Sequence, residues 1–252
     1  MVQSFDEAHE ASDRWLHLPS SDELPCSNDT PVDNEDQNLI PNILLFLLKF
    51  IWTECNDWFF GVDMGIYHTT GINPLVPVVP DGFLSLGVER HKAGGSRKSY
   101  VVWEEGVVPC FVLEIVSLTP GGEYDPKMGL YARLGVLYYV IYNPQYWQRD
   151  QHQPFEVYRL INGGYEQQIG EPYWMPEIGL GIGRHPYQDG NIWREALYWY
   201  DNQGKRYLTP VAQTISNPGS HQLADALGCT SLTIPGSKAN NRAVMPVPSR
   251  MI

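Results

Sequence analysis

The segment Phe111-Val112-Leu113-Glu114-Ile115-Val116 lies in the most hydrophobic run of the chain, residues 107–117. An unbroken apolar run of this kind is typical of a strand that is buried on both faces of a sheet. Side chains alternate between the two faces of a strand, so Glu114 shares a face with Val112 and Val116. Burial of a carboxylate costs free energy unless a cation or hydrogen bonds meet it, which makes Glu114 a candidate site residue.

Asp81 and Lys127 are the other members of the candidate site. Asp81 follows Pro80 at the head of a short apolar run, and Lys127 lies 13 positions after Glu114. Two carboxylates and a lysine are the side chains that a magnesium site needs to cleave a phosphodiester. Each residue also has a structural alternative: Asp81 as a turn residue, Glu114 in an ion pair at a strand edge and Lys127 as a solvated surface residue.

The formal net charge of −12 is unevenly distributed along the chain. Residues 1–36 contain ten acidic residues and one basic residue, Arg14, and so account for −9 of this charge. The remainder is near neutral and includes a basic stretch at residues 90–98. Such a body is compatible with transient contact to nucleic acid, but it differs from the surface of a tight, salt-sensitive DNA-binding protein.

Cysteine use and hydropathy indicate a soluble, cytoplasmic protein. The apolar run at residues 39–52 is shorter than the ~20 residues of a membrane span, and Lys49 interrupts it. Residues 1–14 are acidic and polar, unlike a signal peptide. The cysteines are scattered without the spacing of metal ligands, which favours free thiols in a reducing compartment; they are Cys26, Cys55, Cys110 and Cys229.

Two other hydrolase classes are disfavoured by their missing motifs. The seven histidines show no HExxH or other paired metal spacing, which argues against a zinc site. Ser117 lacks the Gly-x-Ser-x-Gly context, which argues against a serine hydrolase of the α/β type.

The chain divides into three parts by composition. Residues 1–36 are acidic and broken by prolines, and they are expected to form a loosely ordered N-terminal segment. Residues 37–210 carry the hydrophobic patterns of a folded domain. Residues 211–252 contain no aromatic residue and no sustained periodicity, so this C-terminal tail is expected to be largely disordered.

Hydrophobic periodicity and turn signals predict the elements of the central part. A helix that is apolar nearly all round is expected over residues 37–56. A short helix is expected from Pro126 to Leu134, with Asp125 as its N-cap and Gly135 at its end. Strands are predicted at residues 61–67, 76–86, 107–117, 137–142, 155–161, 164–169, 174–183 and 198–208, with a hairpin turn at Asn162-Gly163.

The order and spacing of several short motifs resemble the Uma-type restriction endonuclease family, a branch of the PD-(D/E)xK nuclease superfamily. The resemblance covers residues 37–210. Its motifs are Val79-Pro80-Asp81, Val112-Leu113-Glu114-Ile115-Val116-Ser117, Tyr124-Asp125-Pro126-Lys127, Tyr131-Ala132-Arg133-Leu134-Gly135-Val136, Tyr139-Val140-Ile141-Tyr142-Asn143-Pro144 and Pro176-Glu177-Ile178-Gly179-Leu180-Gly181.

This resemblance implies an α/β fold with a restriction-endonuclease-like core, in which helices flank a central mixed β-sheet. In the superfamily an aspartate and a glutamate hold a divalent metal, and a nearby lysine orients or activates the attacking water. Carried over to this chain, Asp81 and Glu114 become the ligands of Mg²⁺ or Mn²⁺. The usual lysine position, two residues after the glutamate, is Val116, so the resemblance points to Lys127 as the catalytic lysine.

The resulting hypothesis is a metal-dependent endonuclease that hydrolyses phosphodiester bonds of DNA, without a membrane partner. Many enzymes that cut duplexes pair two active sites, so a homodimer is a candidate assembly. The alternative is a catalytically inactive nuclease-fold protein with a binding or structural role, which the displaced lysine and the acidic charge favour. A third reading is an RNA nuclease with the same metal chemistry.

Overall fold

The computed structural model describes residues 18–25, 34–71 and 73–208. The helices are α1 (Glu35–Ile51), α2 (Val102–Glu105), α3 (Pro126–Leu134) and α4 (Trp147–Asp150). The strands are β1 (Trp58–Val62), β2 (Ile66–Tyr67), β3 (Gly82–Leu86), β4 (Tyr100–Val101), β5 (Phe111–Ile115), β6 (Tyr138–Tyr142), β7 (Phe155–Ile161), β8 (Gly164–Gln168), β9 (Tyr173–Met175), β10 (Leu180–Asp189) and β11 (Ile192–Tyr200). The tail expected to be disordered, residues 211–252, lies outside the described residues, as does most of the acidic N-terminal segment.

Six strands form a central mixed sheet in the order β1-β3-β5-β6-β7-β8. Strands β5 and β6 are parallel, with Phe111 opposite Tyr138, and the other neighbouring pairs are antiparallel. Helix α3 lies in the connection between β5 and β6, because parallel neighbours need a crossover. The expected α/β fold with a central mixed sheet and flanking helices is confirmed.

The side chains of β5 alternate between two hydrophobic clusters, one on each face of the sheet. Phe111 and Leu113 belong to the larger cluster, which includes the buried side of α1. Val112 belongs to the smaller cluster, which includes Tyr131 of α3. Every residue of β5 is buried, so the expected double burial of this strand is confirmed. Glu114 alternates with Leu113 and therefore faces α3.

Helix α1 spans the larger cluster and begins two residues earlier than expected. Its N-cap is Asn34, whose side-chain oxygen accepts hydrogen bonds from the backbone N–H groups of Asp36 (2.9 Å) and Gln37 (3.1 Å). These bonds satisfy amides that no helical carbonyl reaches. At mid-helix, Trp199 Nε1 of β11 donates a hydrogen bond of 3.0 Å to the carbonyl of Leu44.

A second, three-stranded antiparallel sheet in the order β11-β10-β9 packs against α1. Its main feature is the hairpin of β10 and β11, which turns at Gly190 with a φ of 58°. The patterns predicted shorter strands at residues 174–183 and 198–208, and most of this hairpin was missed. In the missed part of β10, Pro186 interrupts the alternation of apolar and polar residues by which a strand is recognised.

Two local predictions that rest on glycine are confirmed. Helix α3 runs from Pro126 to Leu134 and ends at Gly135, whose φ of 91° is left-handed. The turn between β7 and β8 is Asn162-Gly163, with φ values of 51° and 84°. Asp125 occupies the expected N-cap position before Pro126, but its side chain makes no capping hydrogen bond. Its backbone, at φ −128° and ψ −84°, is not in the extended conformation typical of a cap.

The strands predicted before and around Asp81 differ from those observed. Residues 61–67 divide at Asp63, which has a φ of 46°, into β1 and β2. Within residues 76–86 only Gly82–Leu86 forms a strand. Proline donates no backbone N–H, so Pro77 and Pro80 keep the preceding segment out of the ladder. Asp81 therefore stands where an irregular segment enters the central sheet.

Residues 18–25 belong to the segment expected to be loosely ordered, yet they contact the domain. Leu24 is buried, and the carbonyl of Pro25 accepts a hydrogen bond of 2.7 Å from the Tyr67 hydroxyl.

The expectation of free thiols is wrong for Cys55, which is disulfide-bonded, whereas Cys110 is a free thiol. Spacing along the chain does not show which cysteines folding brings within bridging distance. Among the described helices, none is long and apolar enough to cross a membrane.

Replacement of Leu44 by alanine is expected to lower the free energy of unfolding by about 2–5 kcal/mol, because it leaves a cavity between α1 and the second sheet. The matched control is Phe46→Ala on the opposite side of the same helix, where Phe46 is 50% exposed and its truncation leaves no cavity. Equilibrium unfolding in urea measures both variants. Equal losses would contradict the assignment of the buried face of α1.

Candidate active site

Asp81 and Glu114 are held next to each other where β3 begins and β5 ends. The antiparallel register pairs Gly82 with Leu113, so the next position along the ladder brings Asp81 opposite Glu114. The backbone N–H of Ile115 donates a hydrogen bond of 2.6 Å to Asp81 Oδ2. Two carboxylates that are 33 positions apart in the sequence therefore meet on adjacent strands.

Both carboxylate oxygens of Glu114 accept hydrogen bonds from α3. Lys127 Nζ lies 2.8 Å from Oε2, and the Tyr131 hydroxyl lies 2.7 Å from Oε1. The two donors are four residues apart and so occupy the same face of the helix. Glu114 is only 1% exposed, and a cation together with a hydroxyl provides the partners that a buried carboxylate needs.

The structure brings Lys127 to the two carboxylates from the first turn of α3. Its side chain is 25% exposed, so Lys127 reaches the buried Glu114 carboxylate from the partly accessible side of the site. Val116, which occupies the usual lysine position of the superfamily, is buried in the same hydrophobic cluster as Tyr131. An apolar residue fills that position, and the amine comes from the neighbouring helix. Asp81, Glu114 and Lys127 are therefore all at one site.

The electrostatics of the site disfavour negative charge. Burial raises the pKa of Asp81 well above its ordinary value, and the nearby Glu114 carboxylate raises it further. Burial also raises the pKa of Glu114, although Lys127 opposes this effect. Burial tends to lower the pKa of Lys127, but the Glu114 charge outweighs this effect and the pKa of the amine is raised. The ionised carboxylates would be stabilised by additional positive charge.

Glu123 is a third buried carboxylate beside this group, and it is not among the site residues expected from the sequence. Its side chain accepts a hydrogen bond of 3.0 Å from the N–H of Gly121, and its charge acts on both Glu114 and Lys127. A Cβ atom at Gly121 would stand 2.6 Å from Glu123 Oε1, so glycine leaves the room that this carboxylate occupies. No sequence signal marks Glu123, because it lies in an irregular turn before α3.

Tyr131 is the second residue that the sequence analysis did not identify as part of the site. It is fully buried, and its ring packs against Tyr139 with a centroid distance of 5.2 Å. A signal was present, since the four-residue spacing from Lys127 places both side chains on one helical face. The spacing becomes informative only once Lys127 is known to face the sheet.

The residues present fit a magnesium ion. Asp81, Glu114, Glu123 and Lys127 carry a formal charge of −2 when all four are ionised, which a divalent cation would balance. Among the described residues, no group of three or more His, Cys, Asp or Glu side chains is arranged to hold a metal. Magnesium needs fewer protein ligands, because it keeps several waters and binds through one or two carboxylates plus substrate phosphate.

The site lies in a part of the chain that matches a known protein family. The model of the Uma2 family, described as "Putative restriction endonuclease", matches residues 31–185, which include Asp81, Glu114 and Lys127. No curated protein and no solved structure matches the chain. Because the family match covers more than half of the chain, this protein belongs to the Uma2 family.

Proposed function

We propose that this protein is a magnesium-dependent endonuclease that hydrolyses phosphodiester bonds of DNA. The observation that carries the proposal is the meeting of Asp81, Glu114 and Lys127, from three separate segments, at the end of β5. The membership of the Uma2 family supports the reaction class. Manganese is expected to replace magnesium, because it also suits carboxylate and water ligands.

Asp81 and Glu114 are the proposed ligands of the ion. Their carboxylates offer oxygen donors only, and burial raises the pKa of both groups, so a cation is needed to favour their ionised forms. A bound magnesium ion would polarise a phosphoryl oxygen and lower the pKa of a coordinated water. The hydrogen bond from Ile115 to Asp81 Oδ2 fixes one carboxylate relative to the backbone of the other strand.

Lys127 is the residue proposed to act on the phosphate. Its side chain is partly exposed, and although burial tends to lower the pKa of the amine, the Glu114 charge raises it overall. The amine is therefore protonated near neutral pH and serves as a hydrogen-bond donor rather than as a base. A positioned donor stabilises the negative charge that develops on the phosphate during displacement.

A homodimeric assembly and a cytoplasmic location are further parts of this proposal. The proposed catalytic unit is residues 37–210, together with residues 34–36, which begin α1, and residues 18–25, which pack against it. Cleavage of both strands of a duplex requires two active sites or two encounters, and a homodimer is the proposed arrangement. DNA as the substrate is consistent with a protein that acts in the cytoplasm.

A specific observation favours the second candidate, an inactive nuclease-fold protein with a binding or structural role. The basic stretch at residues 90–98 is largely neutralised within the protein. Arg97 and Lys92 form ion pairs with Glu105 at 2.8 Å and 2.9 Å, and Lys98 pairs with Asp22 at 3.1 Å. These groups are less available to phosphates than the sequence indicates, so nucleic acid would have to be held mainly at the site.

Asp81→Asn and Glu114→Gln are expected to abolish metal-dependent cleavage, because each removes one of the two carboxylate ligands. Lys127→Met is expected to lower kcat by about 10²–10³-fold, the usual loss when one donor to developing charge is removed. Cleavage of labelled DNA and RNA is measured with Mg²⁺, with Mn²⁺ and with EDTA.

The matched control for these variants is Glu156→Gln, which changes a buried carboxylate on β7, two strands away from Glu114. It is expected to retain wild-type cleavage. Full activity of both Asp81→Asn and Glu114→Gln would refute the proposed mechanism. A wild-type protein that cleaves neither DNA nor RNA with either metal would support the inactive nuclease fold.

Asp81→Asn is also expected to stabilise the metal-free protein near neutral pH. The folded-state pKa of Asp81 lies above its ordinary value of 3.8, so the folded state binds this proton more tightly than the unfolded state. The resulting stabilisation is complete below the unfolded pKa and is lost as the pH rises through the folded pKa. Asparagine does not ionise, so the variant avoids this loss. Denaturant unfolding in EDTA at several pH values measures the difference.

Without metal, Asp81→Asn is expected to be more stable than the wild type near neutral pH. Addition of Mg²⁺ is expected to make the wild type the more stable of the two. A ligand that binds only the folded state stabilises it by mass action, so the wild type gains stability and Asp81→Asn does not. Equal losses of stability with rising pH in both proteins would contradict the raised pKa of Asp81. Equal gains of stability from Mg²⁺ would contradict its role as a metal ligand.

A further inference from the structure

We infer that Tyr131 is a positioning residue that fixes the Glu114 carboxylate for metal binding, whereas Lys127 is its exchangeable partner. The inference rests on the proposed function, since it assigns separate roles to the two donors of α3 at that site. Its starting point is the occupation of both Glu114 oxygens from one helix, with the Tyr131 hydroxyl on Oε1 and Lys127 Nζ on Oε2.

The two donors differ in their freedom to move. Tyr131 is fully buried in the smaller hydrophobic cluster, and its ring packs against Tyr139. Its hydroxyl cannot leave Glu114 without disturbing that packing. Lys127 has a flexible four-carbon stem, and its side chain is 25% exposed, so its ammonium group can swing away from Oε2 without repacking the cluster. The Oε1 contact is therefore permanent, and the Oε2 contact is replaceable.

This difference suits the Glu114 carboxylate, which must release the Lys127 ammonium group in order to bind a metal ion. Each carboxylate oxygen has two lone pairs, so Oε1 can keep the Tyr131 hydrogen bond while the group binds a cation. Oε2 becomes accessible when the Lys127 amine moves toward a substrate phosphate. Glu123, whose charge also acts on Lys127, lies close enough to stabilise the amine during this movement.

Without the Tyr131 hydroxyl, Glu114 would retain one partner, and that partner is the one that must leave. The carboxylate would then be free to rotate about its last bond, and the ionised form would lose a donor in a desolvated environment. Partners of metal ligands have this orienting role in many proteins, and their removal costs about 10–100-fold in metal affinity.

The test compares Tyr131→Phe with Tyr100→Phe. Tyr100 is equally buried in the same cluster, but its hydroxyl donates a hydrogen bond of 2.9 Å to the carbonyl of Val107. Binding of Mn²⁺ is measured without nucleic acid by the loss of the free-ion electron paramagnetic resonance signal. Tyr131→Phe is expected to weaken Mn²⁺ binding by about 10–100-fold, whereas Tyr100→Phe leaves it within about twofold.

Lys127→Met and Glu114→Gln complete the set and separate this inference from the proposed function. Lys127→Met is expected to bind Mn²⁺ at least as tightly as the wild type, because it removes a positive charge beside the ligands. Normal Mn²⁺ binding by Tyr131→Phe, together with weak binding by Glu114→Gln, would overturn the role of Tyr131 alone. Equal binding by the wild type and Glu114→Gln, or no binding by the wild type, would overturn both proposals. Circular dichroism establishes that each variant is folded.

Discussion

The structure of the site depends on one constraint, the burial of the Glu114 carboxylate in a strand that is covered on both faces. A charge in this position is stable only if the surrounding elements bring donors to it. Helix α3 does so with Lys127 and Tyr131, and the crossover between two parallel strands places that helix over the correct face. The ion pair at Glu114 therefore depends on the crossover that joins the two parallel strands of the central sheet.

The same constraint leaves the site incompletely neutralised. Lys127 meets Glu114, but burial and like charge still raise the pKa of Asp81 well above its ordinary value. Such a site is unfavourable for folding in the absence of a cation, and perturbed carboxylates of this kind are characteristic of functional sites. The larger cluster on the opposite face, around Leu44 and Trp199, supplies apolar burial that can offset this local cost.

Several features were predictable because they depend on local chemistry. The burial of β5, the end of α3 at Gly135 and the turn at Asn162-Gly163 follow from unbroken apolar character or from the need for positive φ. The hairpin of β10 and β11 was largely missed, because Pro186 interrupts its alternation. The disulfide bond at Cys55 was missed, because cysteine pairing depends on distances between segments that are far apart in the chain.

The sequence by itself determined that Glu114 would be a buried carboxylate and that Asp81 and Lys127 were its candidate partners. An unbroken apolar run is a local property, and a charge within it is visible without coordinates. Only the tertiary structure decided that Lys127 reaches Glu114, and that Tyr131 and Glu123 join them. These contacts depend on the rotation of α3 about its axis and on the path of the preceding turn, which are set by packing against the sheet rather than by residue spacing.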